Sequence, residues 1–206
     1  MIISLIGMSN CGKSHWSKKL ENERGYERRC CDDLIAGQLN DLLPEVDIQD
    51  MDAFAAWMGM PHEFGYAERE GAYLAGEEGA LLEAVKESRG DLVIDTTGSV
   101  IYLSENRLRH LKQISTVVYL STTDDQVTLM TERFFACPKP LVWGECFDQR
   151  SVETNEEALR RCYPELLRWR RERYKTLADV TIPYERSHDP SYSVDKLLYD
   201  VLQHKR

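Results

Sequence analysis

Residues 1–14 read MIISLIGMSNCGKS, and this stretch decides the fold. The apolar run 1–6 is typical of a buried strand in a parallel sheet. Residues 7–14 match the pattern GxxxxGK[ST], with a loop predicted at 7–12 and a helix predicted from Lys13 to about Glu23. A strand, a glycine-bearing loop and a helix in this order predict a phosphate-binding loop of the Walker A type in an α/β protein.

The residue types of this loop suit a polyphosphate. Successive backbone N–H groups can surround phosphate oxygens, and the helix N-terminus adds a positive partial charge. Lys13 can reach the β and γ oxygens and Ser14 can ligate Mg²⁺, so we expect ATP and Mg²⁺ as cofactors. An ordinary glycine-containing turn and a nucleotide binder without catalysis are the alternatives. The expected nucleotide contacts are Gly7, Met8, Ser9, Asn10, Cys11, Gly12, Lys13, Ser14 and His15.

Apolar runs and helical compositions alternate along the rest of the chain, which predicts a mostly parallel sheet. Three glycines predict breaks in the helix at 63–87, Pro164 predicts a break in the long helix, and 45–62 has no clear period. The helix after the fourth strand is expected to begin at Thr122 or Thr123 and to end before Pro138. Further strands are predicted at 26–31, 91–95, 115–121 and 179–183, and further helices at 33–44, 63–87, 103–112, 153–177 and 193–204.

The composition limits the class of protein. The 206 residues are 42% hydrophobic and 30% charged, and 35 acidic against 26 basic side chains give a net charge of −9. This balance argues against nucleic acid and anionic membranes as partners, and no apolar run reaches the ~20 residues that span a bilayer. The six cysteines form no CxxC pair. We expect one domain over 1–206, cytoplasmic, with reduced thiols, and a monomer or weak dimer.

An acidic pair, Asp32 and Asp33, follows the second predicted strand. Ligands bind at the carboxyl ends of parallel strands, so this pair is expected beside the phosphate loop. A kinase that phosphorylates a hydroxyl needs a carboxylate there to orient the hydroxyl or accept its proton. Asp32 is the first candidate and Asp33 the second, and capping of the next helix is the alternative for Asp33.

The third predicted strand ends at Asp95, which is how many phosphate-loop proteins present a carboxylate to Mg²⁺. A role as a plain turn residue is the alternative. The turn that follows is built from small hydroxyl residues and Gly98. A substrate can approach such a backbone closely, so Thr97 and Gly98 are expected to contact it.

Arginines near a proline-rich loop predict a closing lid at about 134–152. Cations from a lid can stabilise the charge on a phosphoryl group in transfer and exclude water. Arg133 precedes the loop and is the better candidate, and Lys139 is the weaker one. The arginines at 160–173 are mostly expected on a solvated helix face paired with glutamates.

The order of these features resembles the shikimate kinase family of small phosphate-loop kinases. The resemblance implies the P-loop NTPase fold, with a five-stranded parallel sheet of order 2-3-1-4-5 flanked by helices, Mg²⁺-ATP as donor and a mobile lid. It also implies that Arg170 grips a carboxylate of the substrate. The motifs that carry it are Gly7–Ser14, Asp32-Asp33, the turn 93–100, the stretch 119–123, Arg133 with 138–141, and Arg170-x₃-Tyr174-x₃-Ala178-Asp179.

The sequence departs from the family on the substrate side. Cys30 stands where the family has the first Asp of an Asp-x-Asp pair, and 96–98 reads Thr-Thr-Gly instead of three glycines. The arginine of the family's Phe-Arg pair falls near Leu74–Ala75, where there is none, and Arg69 could replace it only after a shift. Together with an unusual insertion at about 33–75, these changes indicate a rebuilt substrate pocket.

The sequence therefore predicts an ATP-dependent kinase for a hydroxyl of a small metabolite, anionic if Arg170 binds it. Lys13, Asp32 and Arg133 are the expected catalytic residues, and Ser14 and Asp95 the expected metal ligands. The Asp-Asp placement also resembles polynucleotide 5′-hydroxyl kinases, whose first Asp acts on the hydroxyl. A kinase for nucleosides or nucleic-acid ends and a non-catalytic regulatory protein stay open as alternatives.

Overall fold

A computed structural model describes residues 1–42, 50–86, 88, 90–137, 139 and 141–203. Five parallel strands form one sheet in the order β2-β3-β1-β4-β5. This confirms the predicted fold class and strand order. The strands are β1 (Ile2–Ile6), β2 (Glu27–Cys30), β3 (Leu92–Asp95), β4 (Thr116–Leu120) and β5 (Val180–Ile182).

Helices cover both faces of the sheet. In the described residues, none of them is long and apolar enough to cross a bilayer. Two short 3₁₀ turns lie at Val100–Tyr102 and Gly144–Cys146. The helices are α1 (Lys13–Arg24), α2 (Cys31–Leu42), α3 (Met51–Met58), α4 (Tyr66–Ala84), α5 (Glu105–Ile114), α6 (Asp124–Ala136), α7 (Asn155–Leu177), α8 (Tyr184–Ser187) and α9 (Val194–Gln203).

Two apolar cores flank the sheet because side chains alternate along each strand. In β3, Leu92 and Ile94 pack against the larger core with α2 to α7, whereas Val93 faces the smaller core with α1 and α9. The register places Leu5 and Cys30 opposite Asp95. The carboxyl ends of β1, β2 and β3 therefore meet at one edge, which brings the loops that follow them together.

The segment between α2 and β3 differs most from expectation. Residues 51–58 form helix α3, although this stretch shows no clear hydrophobic period, and Asp50 caps the N-terminus of the helix. The predicted glycine breaks are wrong, since α4 is continuous. A Cβ on Gly76 would lie 3.3 Å from Leu39, and one on Gly79 2.5 Å from Gln38. These glycines let α4 approach α2 closely, and that packing outweighs their low helix propensity.

The predicted break at Pro164 is also wrong. Helix α7 continues through it, because Tyr163, Leu166 and Leu167 are buried in the larger core and compensate for the missing backbone hydrogen bond. Thr154 caps this helix in a capping box with Glu157.

Two of the predicted helix starts are settled by the structure. Thr123 rather than Thr122 caps α6. Since α2 begins at Cys31, Asp33 lies in its first turn and does not cap it. The expected helix ends at Pro44, Glu87 and His204, and the lid residues Pro138 and Pro140, lie outside the described residues.

Candidate active site

The phosphate loop is bent by backbone angles that favour glycine. Gly7 has φ +144°, Gly12 φ +100° and Asn10 φ +62°. A Cβ on Gly7 would lie 2.7 Å from both the Leu120 carbonyl oxygen and the Cys11 sulfur. The loop can therefore fold tightly against the end of β4 only with glycine at position 7.

Lys13 lies folded over this loop. Its side chain is buried, and its Nζ donates hydrogen bonds of 2.9 Å to the carbonyl oxygens of Gly7 and Met8. Gly12 occupies the N-cap of α1, and among the described residues no side chain caps that terminus. The amides of the first turn are thus left for an anion, which fits the predicted polyphosphate. Ser14 follows Lys13 and is exposed.

The loops at the sheet edge enclose a cavity of about 410 Å³, called here the aspartate cavity. It brings together most of the residues predicted to act on substrate and phosphate. Its lining includes Ser9, Asn10, Lys13, Ser14, Asp32, Asp33, Thr97, Gly98, Ser99, Lys139 and Arg170.

Asp32 lies in the first turn of α2 and opens to this cavity. The protein packed around the carboxyl removes water from it and raises its pKa. Lys13 opposes this increase, while Asp95 and Asp33 add to it. A carboxylate with a raised pKa is a better proton acceptor, which suits the role predicted for Asp32.

Asp95 is fully buried and already engaged. Its Oδ2 accepts hydrogen bonds of 3.0 Å from the Ser17 hydroxyl and from Nη2 of Arg28, which also forms an ion pair with it. Arg28 is a partner that was not predicted, because it stands between Glu27 and Arg29 in β2 and no local signal distinguishes it from Arg29. The metal-binding role of Asp95 stays a prediction.

The turn after β3 is held against the phosphate loop. The Gly98 carbonyl oxygen accepts hydrogen bonds from the Tyr174 hydroxyl and, at 3.5 Å, from Nη1 of Arg170. A Cβ on Gly98 would lie 3.5 Å from the Ser9 amide nitrogen. The hydroxyls of Thr97 and Ser99 donate to Glu77 on α4. Glu77 was not predicted, because nothing in the helical composition of 63–87 distinguishes it from its neighbours.

Arg170 is a buried cation surrounded by neutral acceptors. Its Nε donates to the Tyr102 hydroxyl at 3.2 Å and its Nη2 to the Val142 carbonyl oxygen at 2.7 Å. Within the described part of the chain it forms no ion pair, and a buried guanidinium in this state favours an anionic ligand. Arg69, the substitute considered above, does not line the cavity: it bonds the Met58 carbonyl oxygen and pairs with Glu63.

An apolar wall lines part of the same cavity. It consists of Ile35 and Ala36 from α2, Phe54 and Met58 from α3, and Tyr73 from α4. Phe54 lies between Trp57 and Tyr73, at ring-centroid distances of 5.6 and 5.8 Å. Helix α3, in the segment whose structure the sequence left open, thus contributes to one side of the aspartate cavity.

A second cavity of about 500 Å³, the α6 cavity, adjoins the first. Arg133 lines it from α6, and Ser9, Asn10, Lys139 and Arg170 line both cavities. Met8 also faces the α6 cavity, whereas His15 is exposed on α1 and lines neither. The expected contacts of Arg133 and His15 with nucleotide stay predictions.

The middle of the predicted lid, residues 141–144, is fixed to α4. The Tyr66 hydroxyl donates to the Leu141 carbonyl oxygen at 2.7 Å, and Glu70 accepts from the amides of Trp143 at 2.6 Å and Gly144 at 3.0 Å. The Trp143 side chain is buried among aromatic rings. In this conformation, residues 141–144 are therefore part of the body of the protein.

Comparison with solved structures supports this architecture. A shikimate kinase from Acinetobacter baumannii in complex with shikimate is 20% identical, with a TM-score of 0.62 over 99% of this chain and 94% of that one. A shikimate kinase from Aquifex aeolicus is 18% identical, with a TM-score of 0.60 over 100% of this chain and 98% of that one. A shikimate kinase from Bacteroides thetaiotaomicron is 14% identical, with a TM-score of 0.59 over 98% of this chain and 95% of that one. No protein-family model and no curated protein sequence matches the chain. The predicted resemblance is thus confirmed as a likeness of fold.

Proposed function

We propose that this protein is an ATP-dependent kinase that transfers the γ-phosphoryl group to a hydroxyl of a small molecule. The observation that carries the proposal is that Lys13, at an uncapped helix N-terminus, and Asp32 line the same cavity. A phosphate site and a proton acceptor within one cavity are the two parts that such a transfer requires.

The phosphate loop fits a nucleotide because its amides and the N-terminus of α1 are open to an anion. Lys13 would exchange its two carbonyl partners for phosphate oxygens, and Ser14 would ligate the metal. Bound Mg²⁺ would neutralise charge on the phosphates. Arg133 and Lys139 would add positive charge from α6 and the lid.

Asp32 would accept a hydrogen bond from the attacking hydroxyl and take its proton as the new phosphate ester forms. Because its pKa is raised, Asp32 accepts a proton more readily than an ordinary aspartate does. Asp33, exposed on the next position of the same helix turn, would help to orient the acceptor.

The acceptor should combine an apolar face with an anionic group. The apolar wall favours the first, and the buried guanidinium of Arg170 favours the second. Leu74 stands near the position where shikimate kinases carry a second arginine, so a pocket built for shikimate itself is not expected. We further propose that the enzyme acts in the cytoplasm, where its six free thiols would stay reduced.

A screen with γ-labelled ATP and Mg²⁺ tests the proposal. The acceptor panel should contain sugar acids, polyols, aromatic alcohols, nucleosides and 5′-hydroxyl oligonucleotides, with Asp32→Asn as the matched inactive variant. Label on a small hydroxyl compound, lost in the variant, supports the proposal. Label found only on nucleosides or oligonucleotides would instead favour a nucleoside or polynucleotide kinase. Nucleotide binding without any transfer would favour a regulatory protein.

A further inference from the structure

Glu77 is a buried carboxyl directly behind the turn that forms the floor of the aspartate cavity. Its side chain is 2% exposed, and among the described residues it forms no ion pair. One oxygen accepts from the Thr97 hydroxyl and the other from the Ser99 hydroxyl, the latter at 2.6 Å. Both hydroxyl residues line the cavity, whereas Glu77 does not.

The bonding of these groups fixes where the hydroxyl hydrogens point. A hydroxyl has one hydrogen to donate and two lone pairs. When Glu77 is ionised it can only accept, so Thr97 and Ser99 both direct their hydrogens away from the cavity. The Thr97 Oγ accepts from the Ser99 amide at 3.2 Å, and the Tyr73 hydroxyl lies 3.4 Å from the Ser99 Oγ. Each hydroxyl oxygen then keeps one lone pair for the cavity.

Protonation of Glu77 reverses this arrangement. A neutral carboxyl donates its hydrogen to one of the two hydroxyls, which releases the hydrogen of that hydroxyl. The released hydrogen points into the cavity or to the other hydroxyl oxygen, 3.2 Å away, and in either case the floor no longer offers acceptors alone. Burial is the main reason why the pKa of Glu77 is raised to about 7. Asp32 on α2 raises it, Arg170 on α7 lowers it, and the buried Cys31 and Tyr73 also feel its charge.

We propose that Glu77 is a positioning residue that sets the hydrogen-bonding polarity of the cavity floor. With Glu77 ionised, the floor offers acceptors alone, and it selects a molecule that places hydroxyl or amine hydrogens over Thr97 and Ser99. The favoured phosphate acceptor is therefore a compound with at least one hydroxyl besides the one that is phosphorylated. The assignment of this molecule as phosphate acceptor rests on the proposed function, but the polarity of the floor does not.

The first test follows the floor without any ligand. Amide resonances of Thr97, Gly98 and Ser99 are recorded by NMR across neutral pH in the wild type, in Glu77→Gln and in Glu78→Gln. Glu78 is the matched control because it pairs with Arg107 on α5. We expect the Ser99 amide to titrate near pH 7 in the wild type and in Glu78→Gln. Glutamine cannot ionise, so this titration should vanish in Glu77→Gln.

The second test reads the polarity with two probes. A 1,2-cyclohexanediol can donate hydrogen bonds, whereas 1,2-dimethoxycyclohexane can only accept them. We expect the ratio of their affinities, from shifts of the Ser99 amide, to favour the diol about 2- to 10-fold more at about pH 8.5 than at about pH 5.5, the worth of one net hydrogen bond. The ratio should not change with pH in Glu77→Gln. In Thr97→Val, which keeps the shape but leaves only the Ser99 hydroxyl bonded to Glu77, the change with pH should be smaller than in the wild type.

A wild-type Ser99 amide that does not titrate, or one that titrates equally in Glu77→Gln, overturns the proposal. So does a probe preference that changes with pH in Glu77→Gln as it does in the wild type. Neither experiment uses ATP. A protein that passes both tests and yet transfers no phosphate would refute the proposed function and leave the polarity of the floor intact.

Discussion

The two sides of the aspartate cavity follow different rules. On the phosphate side, one continuous strand–loop–helix segment provides the loop amides, Lys13 and Ser14, and its glycines define the bend of the loop. On the opposite side, the wall is assembled from α2, α3, α4 and the turn after β3. A local motif can be recognised in the sequence, whereas a wall built from distant segments becomes visible only after folding.

Asp32 should produce the largest effect, because it stands where the two sides meet. Asp32→Asn removes the proton acceptor and leaves the phosphate loop intact. We expect turnover with the acceptor found by the labelled-ATP screen to fall about 10²- to 10⁴-fold. Calorimetry should show that ATP binding is unchanged. Turnover at the wild-type rate would mean that the acceptor does not react at this carboxylate.

The phosphate side is tested by Lys13→Ala. Loss of one preorganised cation should reduce turnover at least about 10²-fold. Lys18→Ala is the matched control, since Lys18 is exposed on the same helix and lines neither cavity. Steady-state kinetics of both variants decide the matter. Near-normal turnover of Lys13→Ala, with the fold intact by circular dichroism, would remove the basis for a kinase.

The opposite wall is tested by the pH dependence of stability. The pKa of Glu77 is raised from 4.5 to about 7, so its neutral form stabilises the fold. This stability is complete below about pH 4.5 and is lost as pH rises through 7, which costs about 3 kcal/mol. Glu77→Gln escapes this loss. Its free energy of unfolding relative to wild type should therefore increase between these pH values.

Glu153→Gln provides a control of opposite sign. Arg161 holds the pKa of Glu153 down to about 2, so its charged form stabilises the fold above pH 4.5. The variant should lose stability relative to wild type as pH rises through the acid range. Urea denaturation at a series of pH values measures both variants. Parallel curves for Glu77→Gln and wild type would show that folding does not raise the pKa of Glu77.

The packing between α2 and α4 should give the smallest effect. Gly71 lies on the exposed face of α4 with no atom near its missing Cβ, so Gly71→Ala should raise the free energy of unfolding by about 0.5–1 kcal/mol. Gly76→Ala should gain less, because its Cβ would meet Leu39 at 3.3 Å. Thermal unfolding compares the two variants. An equal increase in the free energy of unfolding would mean that Leu39 on α2 moves aside for the new methyl group without cost.

The sequence predicts the fold and the phosphate side because their signals are local. The alternation of strands and helices and the motif ending at Lys13 and Ser14 require no knowledge of distant residues. Asp32 was within reach because parallel topology places the end of β2 beside this loop. Helix α3 could not be predicted, because its sequence has no clear hydrophobic period. The glycines of α4 predicted breaks, whereas contacts with α2 stabilise a continuous helix.

Glu77 and Arg28 illustrate why the rest of the site was missed. Glu77 is one glutamate among many in α4, and only burial next to Thr97 and Ser99 distinguishes it. Arg28 has a role in the site only because it bonds Asp95, which lies 67 residues away in the chain. Charge compensation in a folded interior depends on which groups lose water together, and this depends on the complete packing.

Helix α4 holds residues 141–144 of the predicted lid through Glu70, and it holds the cavity floor through Glu77. The two glutamates are separated by two turns of one unbroken helix, so they lie on the same side of it. A helix without a break is stiff, and no loop lies between Glu70 and Glu77. A displacement of residues 141–144 would therefore reach the cavity floor. Residues 141–144 and the turn that lines the cavity are thus mechanically linked in this protein.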